Sequence, residues 1–301
     1  MLNFRQIEVF RAIMIANTIS GAARMLHTTQ PGLSRILHNT EQRLGILLFE
    51  RKKGRLIPTP EGIHLFEEVQ LVYKQIKNLD WSVDQLIQGK DQVLRVGSSP
   101  SVGRTLVPNV LRSIKEEMPE LKVDFTILTV NQLVDYVSLQ MGELAISLFP
   151  PNHPSIEQKL LTTGELVAVF PASHELAAKD VIEAADFQDQ PIISFDKDTA
   201  HGREIVKFFD SVDFEPEISA YVRFAESACA LVESGFGIAL VDEFTVMGNA
   251  FPGLIVRPLK SPSQFHSYLL RHSGIPLSNA GRVFCQHLDQ AVADWGKTKL
   301  S

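Results

Sequence analysis

Cysteine is scarce: two residues in a chain of 301, Cys229 and Cys285. Two are too few for a disulfide framework, and both stand in apolar helical patterns, Ala228-Cys229-Ala230-Leu231 and Val283-Phe284-Cys285, where a thiol behaves as a small hydrophobe. Long apolar runs are missing as well. No stretch approaches the ~20 residues of a membrane span, and the first eight residues carry charges where a signal peptide needs an apolar core. A soluble, cytoplasmic protein without membrane contact is therefore expected. The signatures of common enzyme chemistry are also absent: there is no Walker loop, no Gly-x-Ser-x-Gly elbow and no Gly-x-Gly-x-x-Gly behind a strand. Gly235-Phe236-Gly237 precedes a strand, which is the wrong order for a dinucleotide site. The nine histidines are scattered, with no His-Glu-x-x-His and no Cys-x-x-Cys. No catalytic residue, metal or cofactor is expected, and His201, without a partner placed beside it by the sequence, reads as a surface or capping residue.

What is present is an uneven charge. The chain carries −6 overall, yet residues 1–62 hold nine basic and four acidic residues, so the remainder carries −11. A cationic head on an anionic body is the asymmetry expected where one small region meets phosphate. With 45% hydrophobic residues the chain can bury a sizeable core, and its length suits two or three structural units.

Phe4, Ile7, Phe10, Ile13 and Met14 repeat at helical steps. Ser20 can cap a short second helix, Gly21–Leu26, whose small residues allow close approach of a neighbour. After the polar turn His27-Thr28-Thr29, Gln30-Pro31 opens a third helix, with Thr29 as the expected capping hydroxyl and Pro31 tolerated in the first turn. Leu33, Ile36, Leu37 and Leu44 form its inner face. Gln30, Ser34, Arg35 and His38 lie on the other. This is a helix-turn-helix whose outward residues suit base edges, since arginine pairs with guanine and glutamine with adenine through two hydrogen bonds each. Leu48–Thr59 then reads as two short strands around the basic tip Arg51-Lys52-Lys53-Gly54-Arg55. Alone, such a loop is solvated surface; directly behind a helix-turn-helix it is a wing placed on backbone phosphates.

From Pro60 to about Gln88 there is no internal proline and, after Gly62, no glycine. Leu65, Val69, Val72, Ile76, Leu79, Val83 and Leu86 alternate at steps of four and three, a coiled-coil seam that pairs the helix with a copy of itself. The alternative is a long helix packed on its own body. Gly89-Lys90-Asp91 serves as the linker. Two recognition helices on a two-fold axis would read a two-fold operator in double-stranded DNA.

Beyond residue 92 the pattern becomes β/α alternation. Strands are expected at Val93–Gly97, Leu121–Leu128, Leu144–Phe149, Leu166–Phe170, Ile192–Phe195, Ile218–Val222, Ile238–Val241 and His266–Arg271. Helices are expected at 105–117, Gln132–Met141, Gly202–Phe209, Glu226–Glu233 and Leu277–Trp295. Two α/β lobes with chain crossings near 163 and 265 result. Ligands in open α/β sheets sit at the carboxyl ends of strands, and anionic groups favour helix N-termini. Two segments qualify: Ser98-Ser99-Pro100-Ser101-Val102-Gly103 after the first strand, and Asp196–Arg203, with Thr199 between, in the other lobe. A Ser-rich loop can equally be a plain helix cap. Thr129, Phe149, Phe224 and Glu226 complete the expected lining.

The run Ala22-Ala23, Leu26, Thr29-Gln30-Pro31, Leu33-Ser34, Glu41, Leu44-Gly45, Leu48-Phe49-Glu50-Arg51, Thr59-Pro60-Glu61-Gly62 resembles the winged helix of LysR-type transcriptional regulators at nearly every signature position. Thr29 stands where the family usually has Ser, and Thr40 where it usually has Leu. Further on, Gly54–Thr59, Ser227–Val232 leading to Gly235–Ile238, and Gly253–Arg257 are similar to the subgroup containing the LysR protein and the octopine and nopaline regulators. The resemblance implies three parts: a winged helix-turn-helix over 1–60, a linker and dimerisation helix over 61–90, and a two-lobed α/β effector domain like a periplasmic binding protein over 91–301. Lobe one spans about 91–163 and 266–301, lobe two about 164–265. It further implies a homodimer or homotetramer, contact with RNA polymerase, and an effector of amino-acid type held between the lobes. Asp196 or Glu226 would meet the ammonium of such an effector, and hydroxyls and amides its carboxylate.

Overall fold

Asn3 and Gln6 close a reciprocal capping box at the start of α1 (Phe4–Ala16), whose inner face buries Val9, Phe10, Ala12 and Ile13. The computed structural model describes residues 2–52, 55–88, 93–210, 214 and 216–297. It divides into two compact units, Met1–Asp84 and Gln85–Ser301. In the first, α2 (Ile19–Met25) is capped by Thr18, whose hydroxyl accepts from the Gly21 amide at 3.0 Å. The helix therefore starts ahead of Ser20, which lies within it and is not the cap the sequence suggested. α3 (Gln30–Leu44) begins after Thr29, but the Thr29 hydroxyl makes no capping hydrogen bond. Pro31 removes one of the two amides such a hydroxyl serves, so the incentive to turn inward is halved. Thr40 is buried in place of an apolar residue and donates to the Ile36 carbonyl at 2.7 Å, which satisfies its hydroxyl within its own helix.

The wing is an antiparallel hairpin, β1 (Phe49–Lys52) against β2 (Arg55–Pro58), with Arg51 opposite Leu56 and Lys52 opposite Arg55. Two side chains fasten it. Glu41 at the far end of α3 accepts from the amides of Leu48 and Phe49 at 2.8 and 3.2 Å, and Thr59 donates to the Leu47 carbonyl at 2.8 Å. A β-carbon on Gly62 would stand 2.3 Å from the Leu48 carbonyl oxygen, so α4 (Pro60–Gln88) can only leave the wing along this path with glycine there. Leu33, Leu37, Leu48, Phe49 and Val69 close the core against α1 and α2.

α4 divides the heptad positions between two uses. Val69 is buried in the core of the first unit, with Leu65 packed beside it. Val72, Leu79 and Val83 are 42%, 64% and 45% exposed. The side chain of Leu86, and the linker Gly89-Lys90-Asp91, lie outside the described residues.

The second unit holds one continuous sheet in the order β4 (Lys122–Ile127), β3 (Val93–Ser98), β5 (Leu144–Ser147), β11 (Gln264–His272), β6 (Ile156–Pro171), β9 (Ile238–Asp242), β7 (Ile192–Phe195), β8 (Ile218–Val222), with β10 (Leu254–Pro258) paired to β6. One half carries β3, which runs parallel to both β4 and β5. In the other half β7 runs parallel to β8 and β9. The halves are joined by β6 and β11, antiparallel with Gly164 opposite Phe265. β6 is sixteen residues long, whereas only its last third reads as a strand in sequence. Its first part, Ile156–Thr163, has largely exposed side chains and lacks the apolar run that marks a buried strand. Helices α5 (Pro100–Glu117), α6 (Val130–Ser138), α7 (Ala200–Asp210), α8 (Ala225–Glu233), α9 (Glu243–Val246) and α10 (Asn279–Lys297) cover it. α5 starts five residues before its expected beginning, because Ser99 and Pro100 open it directly off β3. No described helix is long and apolar enough to cross a membrane.

Candidate nucleic-acid interface and ligand cavity

On α3, Gln30, Pro31, Arg35 and His38 are exposed and Ser34 is half-buried. Positions 31, 34, 35 and 38 share one helical face, opposite the buried Leu33 and Leu37. Thr29 is exposed at the head of the same face. Lys52, on the wing, is exposed and 2.8 Å from Glu50. An exposed pair of this kind contributes little, so a phosphate can displace the carboxylate at small cost. Lys53 lies outside the described residues, and Arg51 and Arg55 are placed through the backbone ladder.

In the second unit, five of the parallel strands, β3, β4, β5, β7 and β8, end around a cavity of about 440 Å³. The first residues of α5, α6, α7 and α8, namely Pro100, Val130, Ala200 and Ala225, all line it. Four helix N-termini thus point partial positive charge and free amides at one volume. Arg203 and Arg223 add two guanidinium groups to the wall. Arg203 is anchored by a 2.7 Å hydrogen bond to the Asp198 carbonyl, and the Arg223 guanidinium lies 5.6 Å from the Phe224 ring centroid. Such a surface favours an anion.

Of the residues expected at the cavity, Ser99, Ser101, Thr129, Phe149, Thr199, Arg203, Phe224 and Glu226 line it. Ser98 does not. It is fully buried and donates to the Ser99 carbonyl at 2.8 Å, because adjacent strand residues face opposite sides of the sheet. Asp196 does not either. Its carboxylate accepts from the Asp198 amide at 2.9 Å in a local turn, and the residue lines a separate groove of about 1000 Å³ beside α7 and β8. The capping alternative holds for Thr199, which donates to the Asp196 carbonyl and accepts from the Gly202 amide while also lining the cavity. Thr129, at the head of α6, donates its amide and its hydroxyl to Gln132 Oε1, each at 3.0 Å.

His201 is a cavity residue, against its expected place at the surface. Its Nε2 lies 2.8 Å from Asp242 Oδ2, and since a carboxylate only accepts, Nε2 carries the proton. The ring stacks on Phe195 at 4.9 Å and meets Phe265 and Phe149 at 5.3 and 5.4 Å. Asp242 is wholly buried at the end of β9. It also accepts from the hydroxyl of Ser101, 2.9 Å away on α5, and from the amide and hydroxyl of Thr245 on α9, at 3.0 and 2.9 Å. One carboxylate therefore ties the first turn of α5 in one lobe to the first turn of α7 in the other. A carboxylate closing an apolar parallel strand was the available signal for it in the sequence.

Glu226, in the first turn of α8, has a buried oxygen, Oε2, without a hydrogen-bond partner. Burial raises its pKa above the ordinary value and the Asp242 charge adds to this, while its own backbone N–H, Arg104 and His201 pull the other way. Burial also pushes the Cys229 thiol up to about 12 and the Cys285 thiol up to about 11, so both stay protonated near neutral pH. Among the described residues no group of three or more His, Cys, Asp or Glu side chains could hold a metal ion.

Gly202 keeps the α7 end of the cavity in place. A β-carbon there would stand 2.1 Å from the Asp196 carbonyl oxygen, which is backbone and cannot rotate away. Gly202→Ala is expected to cost about 1–2 kcal/mol, within the range for overpacking, and to displace the Asp196–Thr199 turn. Urea denaturation measures the first effect; a loss under a few tenths of a kcal/mol would contradict the close approach.

Residues 4–63 match the family model described as "Bacterial regulatory helix-turn-helix protein, lysR family", and residues 88–293 the model described as "LysR substrate binding domain". The chain is 30% identical over 291 residues to the transcriptional activator protein LysR of Escherichia coli (strain K12), covering 97% of this chain and 94% of that protein. It is 28% identical over 245 residues to the regulatory protein NocR of Agrobacterium fabrum, covering 81% and 82%. Its fold is similar to the crystal structure of CbnR, a LysR family transcriptional regulator, with TM-score 0.74, 20% identity and coverage of 97% and 99%. It is also similar to full-length CbnR complexed with its target DNA, with TM-score 0.73, 20% identity and coverage of 96% and 100%.

Proposed function

The chain belongs to the LysR family of DNA-binding transcriptional regulators, and from that premise we propose that it controls promoter activity from the cytoplasm in response to an amino acid or amino-acid derivative bound between its lobes. Gln30, Ser34, Arg35 and His38 enter the major groove of a double-stranded operator, with Thr29 and Pro31 at the head of the helix. Arg51, Lys52, Lys53 and Arg55 lie along adjacent phosphates. A structure of CbnR on its target DNA supports this use of the fold. The single observation that carries the effector reading is the convergence of four helix N-termini with Arg203 and Arg223 on one cavity. The carboxylate of the effector sits against those amides and guanidinium groups, with Ser99, Ser101, Thr129 and Thr199 beside it. Bound between lobes that Asp242 already links, the ligand shifts their arrangement only by its differential affinity for the two arrangements. The dimer or tetramer carries that shift to the operator and to RNA polymerase.

The test has two arms. A mobility-shift assay on the protein's own upstream region shows retardation; a ligand-binding protein without a regulatory role ignores DNA. Calorimetry with amino acids and opines shows binding by at least one, and silence across the series removes the amino-acid assignment.

The exposed seam of α4 makes its own prediction. Leu79→Asp combined with Val83→Asp places charges on side chains that are 64% and 45% exposed in the single chain. Folding is then little affected, while self-association weakens by roughly tenfold or more, as buried like charges oppose helix pairing. Sedimentation equilibrium measures it. An unchanged association constant would place the dimer contact elsewhere.

A further inference from the structure

The cavity has two unlike ends. Helix N-termini and guanidinium groups make most of its wall anion-seeking, yet α8 sets a carboxylate into the same wall. Glu226 is out of place by every local criterion except one. An acid in a first turn complements the helix dipole, but here one oxygen is buried and accepts nothing. Two groups whose electrostatics reach it, Arg104 and His201, are engaged elsewhere. Arg104 on α5 is committed to the Ala250 carbonyl at 3.3 Å and to the Phe251 ring at 4.3 Å. His201 on α7 is committed to Asp242. The charged and titratable groups around Glu226 are Asp242 at the end of β9, His201, Arg104 and, on its own helix, Cys229, with Arg203 and Arg223 elsewhere in the same cavity wall. A buried acceptor left unsatisfied in a ligand cavity is explained by a donor that arrives with the ligand.

Resting on the effector reading above, we propose that Glu226 is the specificity-determining residue of the cavity and that it selects occupants carrying a cationic N–H donor, a protonated amine or guanidinium, to pair with Oε2. An occupant with a carboxylate at the helix N-termini and a cationic nitrogen at Glu226 satisfies both ends at once. A hydroxy or keto acid of the same shape satisfies only one and leaves Glu226 as it was. The assignment also sets a pH dependence. The paired form needs Glu226 ionised, so a proton competes with the ligand's nitrogen. Because burial in the cavity wall holds Glu226 above the ordinary carboxylate value, this competition starts at higher pH than it would for an exposed glutamate. Affinity for amine-bearing ligands falls as pH drops through that range, and affinity for amine-free acids does not follow it.

Isothermal calorimetry on the full-length protein tests this with a defined panel: the twenty common L-amino acids, octopine and nopaline, and the amine-free acids lactate, malate and 2-oxoglutarate. The expected result is binding by at least one amine-bearing compound, at least about tenfold tighter than any amine-free acid. That binding weakens as the pH is lowered, starting at higher pH than an exposed glutamate would set. In Glu226→Gln, which keeps the shape and removes the charge, the amine-bearing ligand loses at least about tenfold and its pH dependence flattens; circular dichroism checks the variant's fold. The wild-type comparison stands whether or not the variant folds. Equal affinity for amine-bearing and amine-free acids, or unchanged binding by Glu226→Gln, overturns the assignment while leaving the effector cavity intact. Silence from the whole panel overturns this inference together with the effector class on which it rests, and DNA retardation then tells whether the regulatory reading survives.

Discussion

Asp242→Ala is expected to lower the stability of the C-terminal unit by about 3–5 kcal/mol, the cost of deleting one member of a buried charged network and stranding its partners. Four donor groups on three residues lose their acceptor together: the Ser101 hydroxyl, His201 Nε2, and the amide and hydroxyl of Thr245. None can be rehydrated cheaply, since Ser101 and Thr245 are buried and His201 is boxed in by Phe149, Phe195 and Phe265. The midpoint of thermal unfolding should fall by on the order of 10 °C. Urea and thermal denaturation followed by circular dichroism read this out, and a loss below about 1 kcal/mol would mean the network is not what holds α5 to α7. Ser101→Ala, which removes one donor and leaves no unpaired group on Asp242 beyond what His201 and Thr245 still satisfy, should cost only about 1 kcal/mol. The contrast between the two variants separates a hub from a spoke.

Arg35→Ala is expected to weaken binding to the protein's own operator by about 10- to 100-fold, or roughly 1–3 kcal/mol, while leaving affinity for random-sequence DNA nearly unchanged. The side chain is exposed, on the face opposite Leu33 and Leu37, and its removal disturbs no core contact. Lys52→Ala on the wing is the matched control. It should weaken both DNAs alike and reduce the salt slope by about one, because a phosphate contact releases a counterion and carries no sequence information. Fluorescence anisotropy at several salt concentrations measures all four quantities. Equal losses on operator and random DNA for Arg35→Ala would show that this arginine meets phosphate and not a base.

The N-terminal unit was legible residue by residue because its determinants are local. Helical periodicity, a glycine where α4 leaves the wing, and Glu41 seven residues before the amide it accepts all lie within short sequence spans. Where local reading slipped there, it slipped by a turn's geometry: Thr18 caps α2 in place of Ser20, and Thr29 leaves its hydroxyl unused beside Pro31. The heptad pattern of α4 was equally visible, but periodicity alone could not say that Val69 serves the core of its own unit while Leu79 and Val83 stay exposed.

The cavity was legible only in outline. Loops after strands pointed to Ser99, Ser101, Thr199 and Arg203, yet Ser98 and Asp196 sat in the same loops and face elsewhere. His201 and Asp242 are forty-one residues apart in the chain, so neither has a partner until β7 and β9 lie side by side. Composition, period and motif determined by themselves the class of the protein, the order of its parts and the outward face of α3, since each depends on neighbours along the chain. Only the tertiary structure decided which carboxylates are consumed within the protein and that Glu226 keeps a buried oxygen without a hydrogen-bond partner. That distinction depends on burial and on hydrogen-bond partners brought together from strands and helices far apart in sequence, and no local pattern encodes it.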